Sequence, residues 1–136
     1  HELTLIRIDY GFLPKLLFQR CADVIGKDLR IYVLGNKMLA AMMRISSGSD
    51  FRANFSLGGH AIPHTLTNEE TALAKKIITA LPADFVGIDF LYHKDHPVLS
   101  EIEDVVGTRM LYQHTNIHAV REYLNYILLS MQNTTA

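Results

Sequence analysis

The residues best suited to chemistry are three acids. Asp89 lies in the stretch Phe85 to Phe90, and Glu101 and Glu103 lie in the stretch Leu99 to Asp104. Both stretches are short, rich in Val, Ile and Phe, and alternate every second residue, a pattern that predicts β-strands. His93 to Pro97 would form the hairpin loop between them. Pairing symmetric about Asp95 sets Asp89 opposite Glu101, Gly87 opposite Glu103 and Ile88 opposite Ile102. Residues two apart share a face, so one face carries the acid trio, uncrowded at Gly87. The other face carries Val86, Ile88, Phe90, Val98 and Ile102 as core. Carboxylates ~4 Å apart repel by roughly 4 kcal/mol per pair at an intermediate effective dielectric, so a trio on one strand pair points to a cation. Hard oxygen ligands with no Cys among them suit Mg²⁺ or Mn²⁺. The competing reading is a solvated acidic face on an edge hairpin.

Upstream residues weigh against that blander reading. Arg30 and Arg44 stand in two strand-like runs, and Arg52 and Asn54 alternate with Asp50 and Ser56 before Gly58 and Gly59. Guanidinium groups grip phosphate or carboxylate oxygens with two parallel bonds, and a Gly pair lets backbone approach a ligand. One difficulty stands in the pattern. A strict two-residue turn at Gly35-Asn36 pairs Arg30 with Ala41, which sends Arg30 and Arg44 to opposite faces; their convergence requires a bulge. The seven His show no metal spacing: His60 and His64 flank Pro63 and read as loop. No Ser or Cys nucleophile has a partner pattern, and no P-loop is present.

The elements that must position these groups follow from periodicity. Residues 3–8 and 16–21 read as strands, 28–34 and 38–45 as a hairpin, and 50–57 as extended. Thr67 to Glu70 is a capping box opening a helix to about Leu81, with Leu73, Ile77 and Leu81 inward and Pro82 ending it. A last helix, from about Ile117 to Met131, places Ile117, Val120, Leu124, Ile127, Leu128 and Met131 on one apolar face. The fold class expected is α+β, a mostly antiparallel sheet with two main helices packed on one face, forming a single domain over 1–136. At 136 residues and 49% hydrophobic, the chain can bury one ordinary core. A net charge of −1 gives no support for nucleic-acid or membrane-surface partners. Cys21 alone excludes an internal disulfide, and a reducing cytoplasm is the expected compartment. No apolar run reaches the roughly 20 residues of a membrane span.

In order and spacing, these pieces resemble the C-terminal part of an ATP-grasp ligase of the RimK-like glutamate ligase or prokaryotic glutathione synthetase type, over about residues 16 to 112. The stretches that carry the likeness are 18–21, 26–30 with 33–37, Arg44, 50–59, 85–89 and 101–103. The resemblance implies ATP and Mg²⁺ (or Mn²⁺) as cofactors. It places backbone at Gln19, Arg20 and Cys21 on the adenine edge and Asp23 on ribose hydroxyls. Arg30 and Arg44 would face the γ-phosphate and the acyl-phosphate. Asn54, Gly58 and Gly59 would lie near phosphates or substrate, with Arg109 as a further substrate contact. Asp89, Glu101 and Glu103 would hold the metal. Two departures matter: the family's Glu-x-Asn is here Glu101-Ile102-Glu103, and its Pro-Gly after that strand becomes Asp104 to Leu111.

The activity so implied is ATP-dependent carboxylate–amine ligation through an acyl-phosphate, with an amino acid or peptide as substrate. A non-catalytic nucleotide- or metal-binding module of the same lineage is the alternative, and a metal-dependent phosphohydrolase would leave the arginines unexplained. ATP-grasp enzymes sandwich ATP between two subdomains, so a missing N-terminal subdomain is the implied partner. The 136 residues alone are expected to fold without turning over ATP, and to self-associate through apolar surface near Leu17 and Phe18.

Overall fold

The computed structural model of the chain describes residues 22–46 and 59–134. The expected strands at 3–8 and 16–21 and the extended run at 50–57 lie outside them. Among the described residues five strands form one sheet in the order β3-β2-β1-β4-β5: β1 Lys27–Leu34, β2 Lys37–Ile45, β3 His60–Pro63, β4 Phe85–His93 and β5 His96–Glu103. Every neighbouring pair is antiparallel. Three helices accompany it: α1 Asn68–Ala80, α2 Arg109–His114 and α3 Ala119–Thr134. The α+β class is as expected.

Both hairpins carry an irregularity that decides which side chains share a face. Gly35, at φ +54°, takes the left-handed turn position that the tight connection requires. The β1–β2 register then slips between Tyr32 and Val33: Val33 pairs with Met38 but Tyr32 with Ala40, so Leu39 is skipped. In the second hairpin the connection is tighter than the five-residue loop expected. His93 pairs with His96, and Lys94 and Asp95 both adopt positive φ, at 50° and 64°, the backbone of the two-residue turn that matches strand twist. A slip then leaves Ser100 unpaired and restores Asp89 opposite Glu101, Ile88 opposite Ile102 and Gly87 opposite Glu103. Those three pairings are the ones expected. Val98 is not where it was expected, because it pairs with Leu91 and so shares the face of Asp89 rather than the core face.

One face of the sheet makes the main core, with Leu29, Ile31, Val33, Met43, Ile88 and Phe90 packed beneath Ala74 and Ile78 of α1. Leu73 and Ile77 pack partly against it, while Leu81, expected inward, is 54% exposed at the helix end. The opposite face carries Tyr32 and Met42, covered by Val106, by Met110 and Leu111 of α2 and by Ala119 of α3. The helices therefore divide between the two faces rather than sharing one. The apolar stripe expected to seat the last helix on the sheet is exposed along α3, at Val120, Leu124, Leu128 and Met131. The contacts of α3 run instead through aromatics, with Tyr123 stacked on Phe85 and the Tyr126 hydroxyl donating to Asp84 Oδ1 at 2.8 Å. The stretch 60–63, expected as loop, is an edge strand on β2, with His60 opposite Ile45.

Candidate functional site

The slip at Leu39 supplies the bulge that convergence required. Asp28 stands opposite Arg44, Arg30 opposite Met42, and Arg30 also opposite Asp89 across β1–β4. Asp28, Arg30, Arg44 and Asp89 thus point to one face, and the bulge at Ser100 turns Glu103 towards the same side, next to Gly87. The side chains meet. Arg30 donates from Nε to Asp89 Oδ1 and from Nη2 to Asp89 Oδ2, both at 2.8 Å, the paired geometry of a guanidinium–carboxylate fork. Arg30 Nη1 lies 2.6 Å from Glu103 Oε2. Arg44 donates from Nη2 to Asp89 Oδ2 at 2.6 Å, and from Nε and Nη2 to the two oxygens of Asp28. The result is an alternating row of charges, Asp28–Arg44–Asp89–Arg30–Glu103.

This row is buried. Arg30 is 8% exposed, Arg44 6% and Asp89 4%. Burial opposes the Arg30 charge, but the bonds to Asp89 and the fields of Asp89 and Glu103 outweigh it and raise its pKa above the ordinary arginine value. The same balance, led by Asp28 and Asp89, raises Arg44. Burial pushes the Asp28 carboxyl above its usual range, with Arg44 pulling the other way. Tyr32, one turn of the pleat beyond Arg30, is held up to about 12 by burial, against the two guanidiniums. Its hydroxyl donates to Gly107 O at 3.0 Å and so ties down the segment after Glu103. That segment closes on Gly87, where a Cβ would stand 2.8 Å from Val106 Cγ2 and 3.5 Å from Arg30 Nε.

Of the expected site residues, Arg30, Arg44, Asp89 and Glu103 come together. Glu101 keeps its register opposite Asp89 but is exposed, and among the described residues no ion pair joins it to the row. Asp23 faces His93 at the surface, with Oδ2 3.0 Å from Nδ1. Arg109 is the exposed first residue of α2, and Gly59 lies just before β3. Gln19, Arg20, Cys21, Asn54 and Gly58 lie outside the described residues. Sequence reasoning missed Asp28. Its signal was available, an acid two residues before Arg30 in a strand, but its partner Arg44 became visible only with the bulge.

A second buried carboxylate sits away from this row. Glu70 Oε1 accepts from the Tyr92 hydroxyl at 2.6 Å, and Oε2 accepts from Thr67 N at 2.8 Å and lies 2.9 Å from His64 Nε2. The Thr67 hydroxyl accepts from Glu70 N in return, closing the capping box. His64 lies in a loop, as expected, and from there its ring supports the helix cap.

Two arginines and three acids thus meet on one face about the central strand β1, and comparison with known proteins decides the lineage. The family model of the RimK-like ATP-grasp domain matches residues 14–127. The chain belongs to the RimK-like ATP-grasp family. It is similar to a probable alpha-L-glutamate ligase of Histophilus somni (strain 2336), at 31% identity over 85% of the chain and 38% of that relative. A probable alpha-L-glutamate ligase 1 of Shewanella frigidimarina is 29% identical over 98% of the chain and 44% of its own length. The chain thus spans less than half of these relatives. Two structures of the ATP-grasp ligase PsnB share the fold. The one with a minimal precursor has a TM-score of 0.53 at 16% identity, over 70% of this chain and 32% of that one. The one with a phosphomimetic precursor variant, Mg and ADP has a TM-score of 0.58 at 15% identity, over 76% and 33%. Among the described residues no helix is long and apolar enough to cross a membrane.

Proposed function

We propose that this chain supplies the phosphate- and metal-binding half of an ATP-dependent carboxylate–amine ligase, which forms an amide or peptide bond through an acyl-phosphate. The observation that carries the reading is the meeting of the buried Arg30, Arg44 and Asp89 with Glu103 on one face. Guanidiniums so placed would neutralise the phosphoryl group as it passes from ATP to a carboxylate, before an amine displaces it. Such catalysis is positioning plus charge neutralisation and needs no protein nucleophile.

The donor set fits Mg²⁺. No group of three or more acids or His among the described residues is gathered to hold an ion, but Mg²⁺ normally takes only one or two carboxylates and completes its shell with phosphate and water. Glu103 Oε2 is buried with no directed hydrogen bond despite its short ionic contact, an acceptor with capacity to spare. Asp89 and Glu103 would hold the ion, with Glu101 opposite Asp89 as a third, more exposed acid. When bound, the ion would screen the charge of the ATP phosphates. The name of the relatives makes glutamate the first amine substrate to try.

The alternative, a non-catalytic module, is favoured by one observation: Asp89 already receives three guanidinium bonds within the chain. ADP release in the presence of glutamate and a carboxylate acceptor separates the two. Turnover is expected from the longer parent polypeptide, lost in Arg44→Ala, and absent from residues 1–136 alone, which grip the phosphates from one side. No turnover by the parent would favour the module. Turnover by 1–136 that Arg44→Ala abolishes would overturn the half-site reading.

A further inference from the structure

The row of charges is satisfied internally, which constrains how any ligand enters it. A cation that took Asp89 alone would strip the bonds from Arg30 and Arg44 and place a further positive charge beside them, in a site less than a tenth exposed. A phosphate that took the guanidiniums alone would strand Asp89 just as deeply, and would take its partner from the partly exposed Glu103. Breaking one side of a buried ion pair is costly because the other charge stays buried and uncompensated. If both ligands enter, each guanidinium exchanges a carboxylate for a phosphate oxygen, each carboxylate exchanges a guanidinium for the cation, and no charge is orphaned.

Resting on the ligase reading above, we propose that cation and phosphate binding at this site are coupled by partner exchange, with Asp28 setting the balance. Asp28 stands at the end of the row and bonds only Arg44 among the described residues, through both of its oxygens. It lies beyond the acids that would take the cation, so it competes with Asp89 and with phosphate for Arg44 and not for the ion.

Two substitutions then act in opposite directions on the two ligands. Arg44→Gln relieves Asp89 of one guanidinium, so Mn²⁺ alone should bind about tenfold more tightly and tripolyphosphate alone about tenfold more weakly, within the usual range of site-to-site coupling. Asp28→Asn leaves Arg44 with Asp89 as its remaining carboxylate partner. Mn²⁺ should then bind more weakly and tripolyphosphate more tightly. A residue that only supported the fold would weaken both ligands in either variant. The free-Mn²⁺ electron paramagnetic resonance signal reads the first affinity, and calorimetry with tripolyphosphate in chelator reads the second. Asp89→Asn serves as the control for the metal. Arg44→Lys, which keeps the charge and loses the fork, must show the same signs at smaller size and covers a failure of Arg44→Gln to fold. Mn²⁺ binding that Asp89→Asn abolishes but Arg44→Gln and Arg44→Lys leave unchanged or weaken would overturn the exchange and spare the metal site. Absence of Mn²⁺ binding in every form would overturn both.

Discussion

Two buried carboxylates in this protein, Asp89 and Glu70, are satisfied by different kinds of partner, and the contrast separates a site from a support. Glu70 accepts from a backbone N–H in its own cap and from a tyrosine hydroxyl, and it lies against His64. Its donors are mostly neutral, mostly local and have nothing to gain from a ligand. Asp89 accepts from two guanidiniums on neighbouring strands, and one of these also faces a second acid with spare capacity. Guanidiniums are the groups that phosphate would claim. A carboxylate held by exchangeable charge is poised for replacement, whereas one held by cap and hydroxyl closes the structure.

The strongest test of that contrast is Arg30→Ala. It takes two of the three guanidinium bonds from the buried Asp89, leaving that of Arg44, and the ionic contact from the partly exposed Glu103, and about 3 kcal/mol of stability should be lost, read by urea denaturation. A loss near zero would mean that the row is solvated and that the contrast fails. Glu70→Ala should cost about 2–3 kcal/mol through the lost cap and the orphaned Tyr92 hydroxyl, while leaving the Mn²⁺ and tripolyphosphate affinities unchanged. An affinity change as large as that of Arg44→Gln would make Glu70 part of the site.

The same residue carries a pH signature. Burial works against the Glu70 charge, but Tyr92, Thr67 and His64 prevail and hold its pKa below the reference value of 4.5. A depressed carboxylate stabilises the fold fully above its unfolded pKa, and this contribution is lost as pH falls through the folded value. The stability gap between the wild type and Glu70→Gln should therefore be constant above about pH 5 and narrow below 4.5. A gap that widened on acidification would reverse the sign.

Smaller effects probe the packing around the row. Gly87→Ala drives a Cβ against Val106 Cγ2, and should cost about 1–2 kcal/mol as the segment after Glu103 shifts. Tyr32→Phe removes one hydrogen bond to Gly107 O and should cost about 1 kcal/mol. Both should disturb Mn²⁺ binding more than α1 stability, because they act on the segment that follows Glu103.

What could be read in the sequence was short-range. The capping box at Thr67 involves residues three apart, and its chemistry is complete within one turn of helix. The pairing of Asp89 with Glu101 followed from alternation on two adjacent strands, although the tight turn at Lys94-Asp95 and the bulge at Ser100 reach it by a different route from a symmetric loop. The α3 helix was legible as an element, but its apolar stripe did not reveal whether a partner covers it.

Residue types and local periodicity thus determined β1, β2, β4 and β5, the first helix, the acids and arginines available for chemistry, and the family they resemble. Tertiary structure decided which of those charges meet. Arg30 and Arg44 share a face only because Leu39 is skipped, and Asp28 enters the row for the same reason. Tyr92 reaches Glu70 across 22 positions of sequence. In a strand with period two, one extra residue reverses the facing of everything beyond it. The choice to accommodate that residue is made by the packing of whole faces, with Met43 and Ala41 in one core and Met42 in the other, and no local pattern contains that information.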